Sequence, residues 1–311
     1  MMKAIVCTQY GTPDNLIMKE VAKPTPKADE VLIKIHATSV TASDVLIRSM
    51  NHPPILKFVL QMVFGFGKPR NPILGMVAAG TVESIGKEVT KFQPGDAVFA
   101  YGAVSPTKRR FGSYAEYIAL PQDWNLAAKP TNLSYEEAAA IPYGGLLGLS
   151  LLSRAKVKPG SKVLIYGASG SIGTMLIQLA KHAGATVTSV CSAKNFDLVT
   201  SLGSDQVLDY TQDQAENLLE TYDVVFDAVG NAKTSAVKEK SKKALRPNGK
   251  YLSIDQGTPQ PPKEAFTQLK ELAEQGKLTP VIDRSFPLAQ MTDAHRYVEL
   301  GHKKGNVVIS V

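Results

Sequence analysis

Between residues 162 and 184 the chain writes out a strand, a glycine turn and a helix. Lys162-Val-Leu-Ile-Tyr166 is followed by Gly167-Ala-Ser-Gly170-Ser-Ile-Gly173, and then by a helical pattern running to Gly184. The strand is apolar on both faces, which suits a parallel sheet covered by helices on both sides. Ile172, Met175, Leu176, Leu179 and Ala183 recur at helical spacing. A tight turn that opens a helix leaves the first N–H groups of that helix free to hold a phosphate. The turn and the start of its helix are therefore a candidate phosphate site.

The next strand, Thr186 to Val190, runs into Cys191-Ser192-Ala193-Lys194-Asn195. A site for NAD places a carboxylate at this point, bonded to the ribose 2′-hydroxyl. Here a hydroxyl, an ammonium and an amide stand instead. Those groups attract a 2′-phosphate where a carboxylate repels it, so the expected dinucleotide is NADPH.

Units of this kind continue. Strands are expected at 206–208, 223–226 and 250–254, and helices at 195–202, 233–245 and 263–275. The alternation implies a doubly wound parallel sheet. Residues before Trp124 read differently, as short strands with turn punctuation at 31–37, 79–85, 97–100 and 111–118, which suits a small β-barrel-like domain. After Trp124 helical signals take over, with a capping box at Ser134 and Glu137. The tail carries a helix near 290–300 and a strand at 306–311. The fold class is α/β with two domains: residues 1–124 with 277–311, and residues 125–276.

The 311 residues include only two cysteines, Cys7 and Cys191, which excludes a disulfide framework and a four-cysteine zinc site. The start reads directly into a strand, and no stretch reaches the length of a membrane span, so the expected compartment is the cytoplasm. Net charge is +7. The densest basic run, Lys233 to Lys250, lacks interleaved aromatics and reads as a solvated helix face. A smaller cluster is Lys108, Arg109 and Arg110. No nucleic-acid partner is expected.

Several segments, in order, resemble the zinc-independent quinone oxidoreductase branch of the medium-chain dehydrogenase/reductase family. They are Pro72-Ile-Leu-Gly75, Val89 to Asp96, Gly112-Ser-Tyr-Ala-Glu-Tyr117, Ala138-Ala-Ala-Ile-Pro142, the glycine turn, Leu202-Gly203, Asp209-Tyr210, Asp227-Ala-Val-Gly230 and Gly305-Asn-Val-Val308. The resemblance implies a GroES-like β-barrel catalytic domain built from both chain ends, a Rossmann domain inserted between them, and an active site in the cleft. It implies Ser169, Gly170, Ser171, Ile172 and Gly173 at the pyrophosphate, Ser192, Lys194, Asn195 and Tyr210 around the 2′-phosphate, and Gly230, Ile254 and Asn306 toward the nicotinamide. Thr41-Ala-Ser43-Asp44 and Gly75-Met76-Val77 stand where zinc-dependent relatives carry ligands, so no metal is expected.

The implied reaction is hydride transfer from NADPH to a quinone or an α,β-unsaturated carbonyl. The alternatives are a non-enzymatic NADPH-binding redox sensor and a zinc-type alcohol dehydrogenase. Tyr143, Asp44 and His52 are the candidate catalytic residues, with Tyr101 a further proton donor. The chain departs from the family at Gly144-Gly-Leu146-Leu147-Gly148, where leucines replace threonines. The prolines of Asp255 to Pro262 stand where relatives carry a strand that joins subunits, so a five- or six-stranded sheet and a monomer or unusual dimer are expected. The apolar run Ile55 to Phe66 reads as a pocket wall for a lipophilic substrate, an interfacial helix, or core.

Overall fold

Burial explains why Lys162–Tyr166 is the centre of its sheet. Val163, Leu164 and Ile165 are wholly buried, and the strand pairs on both sides. The order across the sheet is Gln206–Asp209, Thr186–Cys191, Lys162–Tyr166, Tyr222–Asp227 and Leu245–Ser253, every pair parallel. The chain lays two strands to one side of the first, then crosses to the other side. The crevice outside the carboxyl ends of the strands at such a switch point is where these folds bind ligands. The turn at 167–173 sits there.

These coordinates come from a computed structural model, which describes residues 1–103, 109–256, 261–262 and 264–311. Two compact units are present: Met1–Pro142 with Ile282–Val311, and Tyr143–Val281. The unit boundaries fall later than the expected 124/125 and 276/277. Asn125–Ala128, expected to begin the helical part, pairs as a strand with Ala97–Tyr101. The capped helix Tyr135–Ala139 packs on strands of the first unit.

The first unit is built around Glu30–Val40. This strand pairs with Val77–Ile85, Tyr117–Pro121 and Asn306–Ser310 in a seven-stranded sheet. Val31, Ile33, Ile35, Val82, Val98, Ile118 and Leu120 form one core cluster beneath it. A separate hairpin joins Met2–Cys7 to Leu16–Val21. The strand expected over 111–118 begins only at Tyr117. The preceding residues pass through Gly112, at φ +139°, and meet the first hairpin by single contacts such as Ile5 N–H to the Tyr114 carbonyl.

Other boundaries shift for local reasons. The helix expected over 233–245 is one short piece, Ala236–Ser241, capped by the Ser235 hydroxyl, and the following strand starts at Leu245. Phe196–Ser201 follows a 3₁₀ turn at Ala193–Asn195. The five-stranded sheet agrees with expectation among the described residues; positions 257–260 and Lys263 of the expected linker and helix lie outside them, as does Lys108 of the smaller basic cluster. The apolar run near 55–66 forms the helix Pro54–Phe64, in which no residue is buried. The expectation of core is thereby corrected: Ile55, Phe58, Val59, Met62 and Val63 are all exposed.

One buried histidine makes the first unit acid-sensitive. His295 lies edge-on to Tyr114, 5.6 Å between ring centroids, and neither ring nitrogen has a hydrogen-bond partner. Burial, then the nearby Arg48 guanidinium, pushes its pKa down to about 3. The unfolded chain takes up this proton near pH 6.5 and the folded chain does not until about pH 3. Stability from this group is present above pH 6.5 and falls as pH drops, by about 1.4 kcal/mol per pH unit within that window. Asp44 opposes it below about pH 6, because burial raises its folded pKa to about 6. His295→Phe is expected to raise the stability at pH 4 relative to that at pH 6, compared with wild type, because the histidine's loss is removed and the Asp44 gain remains, read by urea denaturation. An unchanged slope contradicts this account.

Candidate cofactor site

The glycines of the turn are fixed by backbone geometry. Gly167 has φ +79°, and a Cβ there would lie 2.4 Å from Val229 Cγ1. A Cβ on Gly173 would lie 2.3 Å from the Gly167 carbonyl oxygen, so the helix Ser171–His182 can approach the strand end only without a side chain. Gly170 is different. A Cβ there would meet only the Gly167 carbonyl, at 3.5 Å, and no side chain caps the helix that it begins. That leaves an open approach to the positive end of the helix, which fits a pyrophosphate.

The residues beyond the second strand are tied to this turn. Asn195 is buried, and its amide donates to Ser169 Oγ at 3.0 Å and to Ser192 Oγ at 3.3 Å. Its Oδ1 is buried without a protein partner. Ser169, Ser192 and Asn195 are thus brought together, with exposed Lys194 beside them. Asp209 ends the neighbouring strand but is spent on backbone. It accepts from Ala193 N–H at 3.1 Å, from Thr211 N–H at 2.9 Å and from Thr211 Oγ1 at 2.7 Å. Burial alone raises its pKa, and these hydrogen bonds outweigh that and hold it below the usual carboxylate value. Tyr210 stands half-buried with its ring 6.0 Å from that of Tyr166.

Toward the other end of the sheet, Ile254 donates its N–H to the Asp227 carbonyl at 3.1 Å. Gly230 lies in the left-handed region, φ +57°, and its N–H donates to Asp227 Oδ1 at 3.0 Å. Asn306 belongs to the first unit, where it is buried at the start of its strand.

The candidate catalytic residues have separate settings. Tyr143 lies in the first turn of the helix Pro142–Ala155 rather than on a loop, and is buried. That helix runs close to the cofactor helix, since a Cβ on Gly144 would lie 2.3 Å from the Ser171 carbonyl oxygen. Leu146 is buried and Leu147 half-buried in the same helix. Asp44 is buried and caps the helix Ala42–Ser49, accepting from Thr41 N–H at 2.9 Å and from Thr41 Oγ1 at 2.6 Å. His52 is half-buried just before the exposed apolar helix, and Tyr101 is half-buried at the end of its strand. Asp44, His52 and Tyr101 lie in the first unit and Tyr143 in the second.

Sequence reasoning missed the buried polar cluster behind Gly230. Lys238 belongs to the basic run that reads as a solvated face, yet it is buried and pairs with Asp227 at 2.9 Å. Helical spacing alone could not single it out among five neighbouring cations. Much of the remaining run is spent within the chain: Lys242 on Glu239, Arg246 on Asp223, and Lys250 on the Arg154 carbonyl.

Residues 27–131 match the alcohol dehydrogenase GroES-like domain, and residues 171–282 match the zinc-binding dehydrogenase family. The chain is 33% identical over 324 residues to the chloroplastic NADPH-dependent alkenal/one oxidoreductase of Arabidopsis thaliana, covering 99% of this chain and 79% of that protein. It is 34% identical, with the same coverage, to 2-methylene-furan-3-one reductase of Solanum lycopersicum. The solved structure of the quinone oxidoreductase from Coxiella burnetii matches with a TM-score of 0.82 at 28% identity, over 100% of this chain and 99% of that one. The chain belongs to the medium-chain dehydrogenase/reductase family, in its quinone oxidoreductase branch.

Zinc, which the family description implies, does not fit the residues present. Gly75 has φ +84°, and a Cβ there would lie 2.4 Å from both Ser113 Oγ and the Tyr114 ring. Met76 and Val77 are buried, and Thr41 is engaged as a helix cap. Among the described residues, no group of three His, Cys, Asp or Glu side chains could hold a metal. NADPH does fit: the open Gly170 approach leaves helix-start N–H groups to donate to a pyrophosphate, and the unpartnered Asn195 Oδ1 can accept from a ribose hydroxyl.

A carboxylate placed in this site should reverse its preference. Ser192→Asp is expected to weaken NADPH binding about tenfold or more by charge repulsion. NADH binding should hold or improve. Parallel loss of both, measured by fluorescence titration, contradicts the assignment.

Proposed function

We propose that this protein is an NADPH-dependent oxidoreductase that reduces a quinone or an α,β-unsaturated carbonyl without a metal ion. The carrying observation is the Ser169–Ser192–Asn195 cluster at the mouth of the glycine turn, with no carboxylate at the end of the second strand. The family relatives named for alkenal/one, furanone and quinone reduction support the acceptor class. Bound NADPH supplies a hydride to an electrophilic carbon, and such an acceptor needs no Lewis acid to take it.

The chain's own part is to bind, orient and protonate. Ser169 to Gly173 hold the pyrophosphate, and Ser192, Lys194, Asn195 and Tyr210 hold the adenosine 2′-phosphate. Gly230 and Ile254 face the nicotinamide. Tyr143 donates the proton that completes reduction, because its helix runs against the start of the cofactor helix. Asp44, in contrast, serves as a helix cap. A sensor working through cysteine oxidation is poorly served here. Both cysteines are buried, and burial pushes Cys7 up to about 11 and Cys191 up to about 12, far from the reactive thiolate range.

The exposed apolar helix Pro54–Phe64 supports a lipophilic acceptor. Its outward side chains Ile55, Leu56, Phe58, Val59, Met62 and Val63 make an apolar surface with one cation, Lys57. Apolar walls of this kind are what ligand pockets use to hold apolar groups.

Purified protein with NADPH should consume the reduced cofactor when given quinones or enals. Tyr143→Phe should lower the rate at saturating NADPH by about a hundredfold, the lower end of general-acid contributions. An unchanged rate removes Tyr143 as donor, and no turnover with any acceptor of either class removes the function. Phe58→Ala should raise the Michaelis constant for bulky quinones several-fold while sparing small ones. Equal effects on both would contradict a role in acceptor binding.

A further inference from the structure

A lysine ammonium taken out of water costs several kcal/mol unless it is well paired. Lys238 is 5% exposed, and its cost is offset by a set of contacts that converge on one stretch of backbone. Its Nζ pairs with Asp227 Oδ2 at 2.9 Å and donates to the Lys233 carbonyl at 2.9 Å and to the Gly230 carbonyl. Asp227, 2% exposed, accepts through Oδ1 from Val229 N–H at 3.2 Å and Gly230 N–H at 3.0 Å. Through Oδ2 it also takes Tyr251 OH at 2.9 Å and Ser253 Oγ at 3.1 Å.

One buried ion pair therefore grips Gly230 by both its N–H and its carbonyl. From the other side Asp255 accepts the Asn231 N–H, and a Cβ on Gly230 would lie 2.2 Å from Asp255 Oδ2. The backbone from Val229 to Asn231 has little freedom left. Satisfied buried networks of this type fix one geometry, and an apolar pair of similar volume often serves stability as well or better. The retained charge points to a requirement on where this backbone stands. Asp227, Lys238, Asn231 and Asp255 also line a cavity of about 570 Å³ at this end of the sheet.

We propose that Asp227 and Lys238 are positioning residues that hold the Val229–Asn231 backbone against the nicotinamide half of NADPH, an inference that rests on the cofactor site assigned above. The adenosine half is held elsewhere, by Ser169, Ser192 and Asn195. Loss of the ion pair should consequently be felt by one half of the cofactor and not by the other. A defect confined to folding or packing would not discriminate in this way.

Calorimetric titration with two probes separates the halves: NADPH, and adenosine 2′,5′-bisphosphate, which lacks the nicotinamide, its ribose and the phosphate on that ribose. Lys238→Met should weaken NADPH by about tenfold or more and leave the bisphosphate within about twofold of wild type. Tyr251→Phe, which removes one hydrogen bond from Asp227 and keeps the ion pair, should act in the same direction by about two- to fivefold. It serves as the deciding variant if Lys238→Met does not fold. Unchanged NADPH affinity in the folded variants, or parallel loss of both probes in Tyr251→Phe, overturns the proposal. Wild-type protein that binds neither probe overturns the cofactor assignment itself, whereas wild type that binds both with variants unchanged overturns only the role of the pair.

Discussion

The close approach of the helix Ser171–His182 to the end of the strand Lys162–Tyr166 is the contact on which the site depends. Only hydrogen at Gly173 lets the first helical turn rest on the Gly167 carbonyl, and only a positive φ at Gly167 turns the chain fast enough to reach it. That approach aims the helix start at the crevice above the sheet, where its partial charge can act on a phosphate. Everything assigned around it is placed by reference to that point. Asn195 reaches Ser169 across it, and Gly144 packs on the Ser171 carbonyl.

The two ends of the proposed cofactor site are built on different principles. At the phosphate end, short polar side chains leave an open, carboxylate-free mouth, and the one nearby acid, Asp209, is locked to the backbone of Ala193 and Thr211. At the other end, charge is buried inside the protein and used to fix backbone. The first arrangement selects a charged ligand through electrostatics at the surface. The second keeps a loop in one shape, where a pair of lone charges in water would achieve little.

Much of this was legible in the sequence for a physical reason: strands buried on both faces and glycines at forced positions leave strong local signals. Lys162–Tyr166, Thr186–Cys191 and the turn between strand and helix fall at their expected places within a residue or so. So does the Ser134–Glu137 capping box. Properties set by tertiary contact were not legible. Lys238 looks like its neighbours in the basic run until Asp227, eleven residues earlier at the end of a strand, packs against it. Asn125–Ala128 is a strand because Ala97–Tyr101 is beside it, not because of its own four residues. Apolar composition likewise marked residues 55–66 without saying that the helix would stand clear of the core.

The proposed function makes one central chemical claim: hydride passes from NADPH to carbon with no metal taking part. The most direct measurement is reduction of an enal or enone by protein treated with a strong chelator, using NADPH deuterated at nicotinamide C4. The account predicts full activity after chelation and deuterium on the β-carbon of the reduced product. Loss of activity that zinc restores, or a product without deuterium from either C4 face, would contradict it.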